Sequence, residues 1–270
     1  MTAKHFVADL RIPPGTRVRL DDFDPAFTGK HSKSHALRKS EELRVIMSDL
    51  QQKLFAERKR SLLVCLQALD AGGKDGVIKH VIGSMNPAGC DVASFKEPTQ
   101  EELAHDFLWR VEAKTPKRGE VAIFNRSHYE DVLWPRVHKV ISSDLVNQRL
   151  EDINEFESML ADNDVLILKF YLHISHEEQT RRLQSRIDDK KKNWKLSDAD
   201  IRERQLWPQY MDAYNDILSS TSRKHAPWFV IPADNKWYRN VAISAIISEL
   251  MQSLKLKFPK PTIDASKIKL

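Results

Sequence analysis

Short apolar runs separated by longer amphipathic stretches dominate the chain from residue 60 onward. Five runs read as strands: "LLVCLQA", "DVASF", "EVAIF", "VLILKFYLHI" and "PWFVIP". The fourth is apolar almost throughout, as expected of a central strand covered on both faces. Between the runs, apolar positions recur at three- and four-residue spacing near 75–85, 100–114, 129–139, 143–161, 176–187, 198–219 and 236–255, which predicts helices there. Ahead of the first strand, Leu43, Met47, Leu50 and Leu54 step by four, three and four, predicting a helix from Ser32 to about Arg60. Thr99 with Glu102, and Ser175 with Glu178, fit capping boxes. Alternating strands and helices with such strands predict an α/β protein with a mainly parallel sheet wrapped by helices. Residues 1–30, punctuated by Pro, Asp and Gly, read as an extended N-terminal arm. Residues 31–270 show no repeat or low-complexity tract and read as a single domain.

Composition narrows the class. A chain of 270 residues can bury a full core. Charged residues make up 30% and Gly and Pro only 8 and 12 positions, which excludes disordered and collagenous classes. The net charge of +5 permits a polyanionic partner without requiring one. Cys65 lies inside an apolar run and Cys90 ends "NPAGC", neither at metal-binding spacing, so both read as reduced and structural. The opening "MTAKHFVADLRIPPG" lacks a signal-peptide core, and no stretch approaches the roughly 20 apolar residues needed to cross a bilayer. The expectation is a soluble, cytoplasmic protein without a membrane partner.

Candidate chemistry begins at the first strand's carboxyl end. "LQALDAGGKDG" places Ala71, Gly72, Gly73, Lys74, Asp75 and Gly76 between a strand and a helix, where backbone N–H groups cradle anions. The usual phosphate-loop pattern would want Gly at Ala68 and Ser or Thr at Asp75. Two carboxylates, Asp70 and Asp75, stand there instead. Like charges about 4 Å apart repel by roughly 4 kcal/mol at an effective dielectric near 20, so negative charge beside a phosphate calls for a divalent cation. Mg²⁺ favours carboxylate plus phosphate oxygens, and points to Asp70 as a metal ligand. Asp75 serves the same purpose or stabilises the helix start.

Two further stretches carry charge to the same end of a parallel sheet. "EVAIFNRSHYEDVL" puts Arg126, a planar fork for phosphate, after a strand, with Glu130 and Asp131 in the next helical turn as metal candidates. "RRLQSRIDDKKKNWK", Arg181 to Lys195, holds seven Lys or Arg against two Asp. Arg182 and Arg186 share a helix face, and a mobile basic lid over phosphates, about residues 181–200, would use them well. In "HDFLWR", Trp109 is expected in the core and Arg110 toward a nucleotide phosphate. His128 reads as a packing or capping residue.

These three pieces, in this order, resemble the polyphosphate kinase 2 family. "LDAGGKDG" matches its variant phosphate loop, "FNRSHYEDV" its second motif and Arg181–Lys195 its helical lid. The resemblance runs from roughly Phe23 through "PADNKWYRN". It implies a P-loop kinase-like three-layer sandwich with a helical lid, and reversible phosphoryl transfer between inorganic polyphosphate and a nucleotide with Mg²⁺, Mn²⁺ being an alternative. It assigns catalysis to Asp70, Lys74 and Arg126, and polyphosphate binding to the loop, Arg126, Arg182 and Arg186. Asn125 and His128 stand where many members have Asp and Trp. "HYED" resembles the subgroup accepting both AMP and ADP, and Glu130 becomes the candidate for acceptor choice. Guanine nucleotides as further acceptors, and a homo-oligomer, are family-level expectations. Two rivals are an ATP-dependent nucleoside monophosphate kinase of the same fold and an RNA-binding module. No aromatic stacking motif or zinc spacing supports the second, and no nucleic-acid partner is expected.

Overall fold

Each predicted apolar run forms a strand in the computed structural model, which describes residues 9–263. These are β1 (Ser61–Gln67), β2 (Cys90–Ser94), β3 (Val121–Asn125), β4 (Val165–His173) and β5 (Trp228–Pro232). All pair in parallel in one sheet of order β2-β3-β1-β4-β5. From β1 the chain crosses to the edge, returns through β3, and then passes to the other flank for β4. The order therefore reverses at β1, and the crevice outside its carboxyl end is where such sheets collect ligands.

The helices are α1 (Lys33–Glu57), α2 (Lys74–His80), α3 (Gln100–Leu103), α4 (Trp109–Glu112), α5 (Glu130–Val137), α6 (Ser143–Asp162), α7 (His176–Asp188), α8 (Asp198–Arg204), α9 (Trp207–Thr221) and α10 (Lys236–Ser253). Strand residues alternate between two cores. Leu62, Val64 and Leu66 pack with Met47 and Leu54 of α1 and Ile243 and Ile247 of α10. Leu63, Cys65, Ala122 and Phe124 face the other way, toward Phe156 and Leu160 of α6. A third cluster joins α5, α6 and α9 to Tyr171, Trp228 and Val230. The result is the expected three-layer α/β sandwich.

Three helical predictions divide or shorten, each for a local reason. The 75–85 stretch is helical only to His80 and then turns through a 3₁₀ segment, Ile82–Ser84. The 100–114 stretch breaks because the Asp106 carboxylate accepts from the N–H groups of Leu108 and Trp109, both at 3.0 Å, and starts a new helix. The 198–219 stretch breaks where Pro208, which has no N–H to donate, opens α9. Trp109 is not a core residue: it is 38% exposed and stacks on His105 with centroids 4.1 Å apart.

The Thr99 capping box is complete, with Thr99 N–H on Glu102 Oε2 at 2.7 Å and Glu102 N–H on Thr99 Oγ1 at 3.2 Å. Only half of the Ser175 box forms. Ser175 Oγ accepts from Glu178 N–H at 3.1 Å, but the Glu178 carboxylate is drawn to Arg182 and Arg181, 2.7 and 2.9 Å away. Ser175 N–H donates instead to Asp234 Oδ1 at 2.8 Å.

The arm is extended and well packed; its first eight residues lie outside the described part. Arg11 pairs antiparallel with Phe229, and Ile12 N–H donates to Trp228 O at 2.9 Å. Leu10, Ile12, Val18 and Leu20 are buried. This covers the free edge of β5, which would otherwise offer unpaired backbone groups to another chain.

Candidate active site

Six residues after β1 make a tight nest. Ala71 and Gly73 have left-handed backbones, φ 60° and 108°, the second a conformation suited to glycine. A side chain on Gly72 would collide with Ala68 Cβ at 2.5 Å, so Ala68 and Gly72 are small together. The loop's carbonyls are held from behind. Gln179 Nε2 donates to Asp70 O, and Arg182 Nη1 to Ala71 O and Gly72 O, each at 2.9 Å. Lys74 Nζ donates to Ala68 O at 2.7 Å. Gly72 N–H donates to Leu69 O at 3.0 Å; with the loop's carbonyls turned away, its other N–H groups can face an anion.

Arg126 follows β3 in a left-handed conformation, φ 62°, while its N–H extends the ladder to Leu66 O at 3.1 Å. Register places Leu66 beside Asn125, so the second motif lies next to the loop. The Arg126 guanidinium reaches Asp70 Oδ1 at 2.9 Å and Glu130 at 4.0 Å. Burial opposes its charge, but Glu130 and Asp70 outweigh this and hold it above the ordinary arginine value. Burial draws the half-buried Lys74 down to about 8, Arg126 adding to the effect, while Asp70, Glu130 and Asp75 pull the other way. Burial lifts Glu130 above the usual carboxylate value against the pull of Arg126 and Lys74.

A cleft of about 840 Å³ opens beside this pair, lined by Asp70, Arg126, Glu130, Arg110, Trp134 and Tyr214 among others. Ala71 to Gly76 do not line it. Asp70 thus belongs to both the loop and the cleft, at the point where they meet. The volume suits a nucleotide-sized ligand.

The remaining predicted residues divide. Arg110 lines the cleft, yet its guanidinium is committed to Asp131, at 3.1 and 2.8 Å, and to Lys96 O at 2.9 Å. Burial raises the Asp131 carboxyl, and Arg110 works against it. Asp131 is therefore an ion-pair partner of Arg110 and does not present an open carboxylate to a metal. Arg182 differs from the expected lid arginine: it is buried behind the loop because the loop carbonyls and Ala233 O take its donors. Arg186 bonds Asp200 and Lys195 O, both at 3.2 Å, within the expected lid segment. Lys195 approaches Asp75 at 3.4 Å, and Asp75, 70% exposed, also accepts from Asn125 at 3.3 Å.

Several contributors escaped the sequence reading. Gln179 is buried, and Arg204, ending α8, donates to its Oε1. Lys169 and Glu157 form a fully buried ion pair at 2.6 Å, joined by Tyr129 Oη and Thr221 O, with His128 Nε2 3.1 Å from Glu157. This network anchors the turn between Arg126 and α5. Its signal was a lone lysine inside an apolar strand.

Among the described residues no cluster of three or more His, Cys, Asp or Glu could hold a metal ion. Asp70 and Asp75 are the accessible carboxylates beside the nest. That donor set fits a hard cation that brings phosphate oxygens and waters as its other ligands.

The sequence profile described as Polyphosphate kinase 2 (PPK2) matches residues 30–259. An AMP/ADP-polyphosphate phosphotransferase of Meiothermus ruber is 46% identical over 96% of this chain and 97% of its own length. An ADP-polyphosphate phosphotransferase of Rhodopseudomonas palustris is 43% identical over 93% and 92%. The crystal structure of polyphosphate kinase 2 from Arthrobacter aurescens superposes with a TM-score of 0.93 at 39% identity, covering 98% of this chain and 94% of that one. With this profile matched over residues 30–259 and relatives aligned over nearly its whole length, the chain belongs to the polyphosphate kinase 2 family.

Proposed function

We propose that the protein is a polyphosphate:AMP/ADP phosphotransferase, moving phosphoryl groups reversibly between inorganic polyphosphate and AMP or ADP. The observation that carries this reading is the position of Asp70 and Arg126, where an anion nest and a nucleotide-sized cleft meet. The near full-length relative named for AMP and ADP supports the acceptor range.

The attacking oxygen belongs to a phosphate that is already ionised near neutral pH, so little general-base help is needed. Catalysis then reduces to alignment and neutralisation of charge. Arg126 exchanges Asp70 for the phosphoryl group in transfer, and Lys74 turns from Ala68 O to the phosphate chain. Asp70 and Asp75 would hold Mg²⁺, which would supply charge neutralisation on the phosphate oxygens. Glu130, at the cleft wall beside Arg126, sets the distance at which an acceptor phosphate is received and so the choice between AMP and ADP. The basic segment from Lys190 to Lys195 closes over the polyphosphate.

The test is an assay of AMP and ADP separately, with polyphosphate and Mg²⁺ and without ATP. The expected products are ADP from AMP, and ATP from ADP. Product from ADP alone removes AMP from the acceptor range. Absence of both products, with transfer from ATP to AMP, establishes the ATP-dependent monophosphate kinase instead.

A further inference from the structure

The phosphate nest is backed by a second guanidinium that no motif announced. Arg239, in the first turn of α10, is 2% exposed. A Cβ built on Gly73 would stand 2.0 Å from its Nη1, and one on Gly76 2.9 Å from its Nη2. Gly76 sits in the first turn of α2 without a left-handed backbone, so its missing side chain is explained by the guanidinium seated against it. Arg182 shares the same wall: its Nη1 lies 3.4 Å from the Gly73 Cβ position.

Negative charge does not match this positive pair. Among the described residues, the Arg239 guanidinium hydrogen-bonds only the neutral side chain of Asn240, at 3.1 and 2.8 Å. Arg182 has one carboxylate, Glu178, at 2.7 Å, and its other donors go to carbonyls. The nearby Asp234 carboxylate is spent on Ser175, with both contacts at 2.8 Å. Burial and then Arg182 draw Arg239 down to about 10, which still leaves it charged at neutral pH. Burial and then Arg182 likewise lower Lys236.

We infer that Arg239 is an electrostatic positioning residue for the polyphosphate chain: its guanidinium, seated on Gly73 and Gly76 behind the loop, lacks a carboxylate and is balanced only when an anionic phosphate fills the nest. This rests on the phosphate-chain reading of the loop. A buried charge without a partner weakens the free protein, and the same charge strengthens the bound state, because the anion arrives on the other side of one layer of backbone. Removing it therefore has opposite effects on stability and affinity. A purely structural arginine would lower both.

The experiment uses the full chain, titrates tripolyphosphate by calorimetry without nucleotide, alone and with Mg²⁺, compares the variants with the parent in each buffer where the parent binds, and records the melting temperature of the free protein. Arg239→Met is expected to weaken tripolyphosphate on the order of tenfold, as one charge acting through a backbone layer would. It should melt no lower than the parent. Arg239→Lys, which keeps the charge, should stay within about threefold of the parent. Gly76→Ala, which displaces the flexible guanidinium tip while suiting a helix, should lose affinity and melt higher. Parent-like affinity in Arg239→Met, equal losses in the Lys and Met variants, or a lower melting temperature or failed folding in Arg239→Met would each overturn the inference. A parent that binds tripolyphosphate neither alone nor with Mg²⁺ overturns the reading of the loop itself.

Discussion

At Lys74, desolvation and Arg126 outweigh the pull of Asp70, Glu130 and Asp75, and the ammonium is drawn down to about 8. Below about 8 the ammonium is protonated, as the proposed phosphate contact requires; above it the charge is lost. The specificity constant for polyphosphate is therefore expected to hold level up to about pH 8 and fall beyond it, while Lys74→Arg extends the plateau upward. A pH profile measured on the free-enzyme parameter kcat/KM checks this. Asp70→Asn and Lys74→Ala should each lower turnover by about two or more orders of magnitude, as losing one preorganised charge does, with circular dichroism unchanged. At this scale Asp70, Lys74 and Arg126 were legible because their motifs place charge at strand ends. Gln179 and Arg239 were not, because their partners are carbonyls and glycines more than a hundred positions away.

Among the elements, α7 and β4 do more than pack. From α7, Gln179 and Arg182 pin successive carbonyls of the phosphate loop, so the helix fixes which way the nest faces. From β4, Lys169 meets Glu157 of α6 in the core. Burial opposes the Glu157 charge, but Lys169 and His128 outweigh it and keep the carboxyl below its usual value. Lys169→Met takes the ammonium from that buried carboxylate, leaving it His128 and Tyr129, and is expected to cost about 3–5 kcal/mol in urea unfolding. Adding Glu157→Leu should restore most of the loss, since an apolar pair of similar volume suits the site. Strands and long helices were readable from periodicity alone. The breaks at Asp106 and Pro208 were missed because a single residue there outweighs the apolar pattern around it.

For the whole molecule, the arm works as a seal. Leu10, Ile12, Val18 and Leu20 are fully covered, and burial of each is worth about 1.5–3 kcal/mol. Their sum is comparable to the net stability of a domain, roughly 5–15 kcal/mol. A chain that begins at Phe23 is expected to melt lower and to scatter light on warming, as the β5 edge becomes available to neighbours. Differential scanning with light scattering checks both. The seal was not legible in the sequence: the arm was recognised as extended, but its docking on Trp228 and α9 depends on contacts some 200 residues apart.

The ion pair of Asp70 and Arg126 has one more consequence. In the proposed mechanism the carboxylate occupies the guanidinium between turnovers as a stand-in for the substrate, so every incoming phosphate must evict it. Asp70→Asn frees the seat. Without metal present, that variant should grasp short phosphate chains more firmly than its parent, even as it ceases to pass them on.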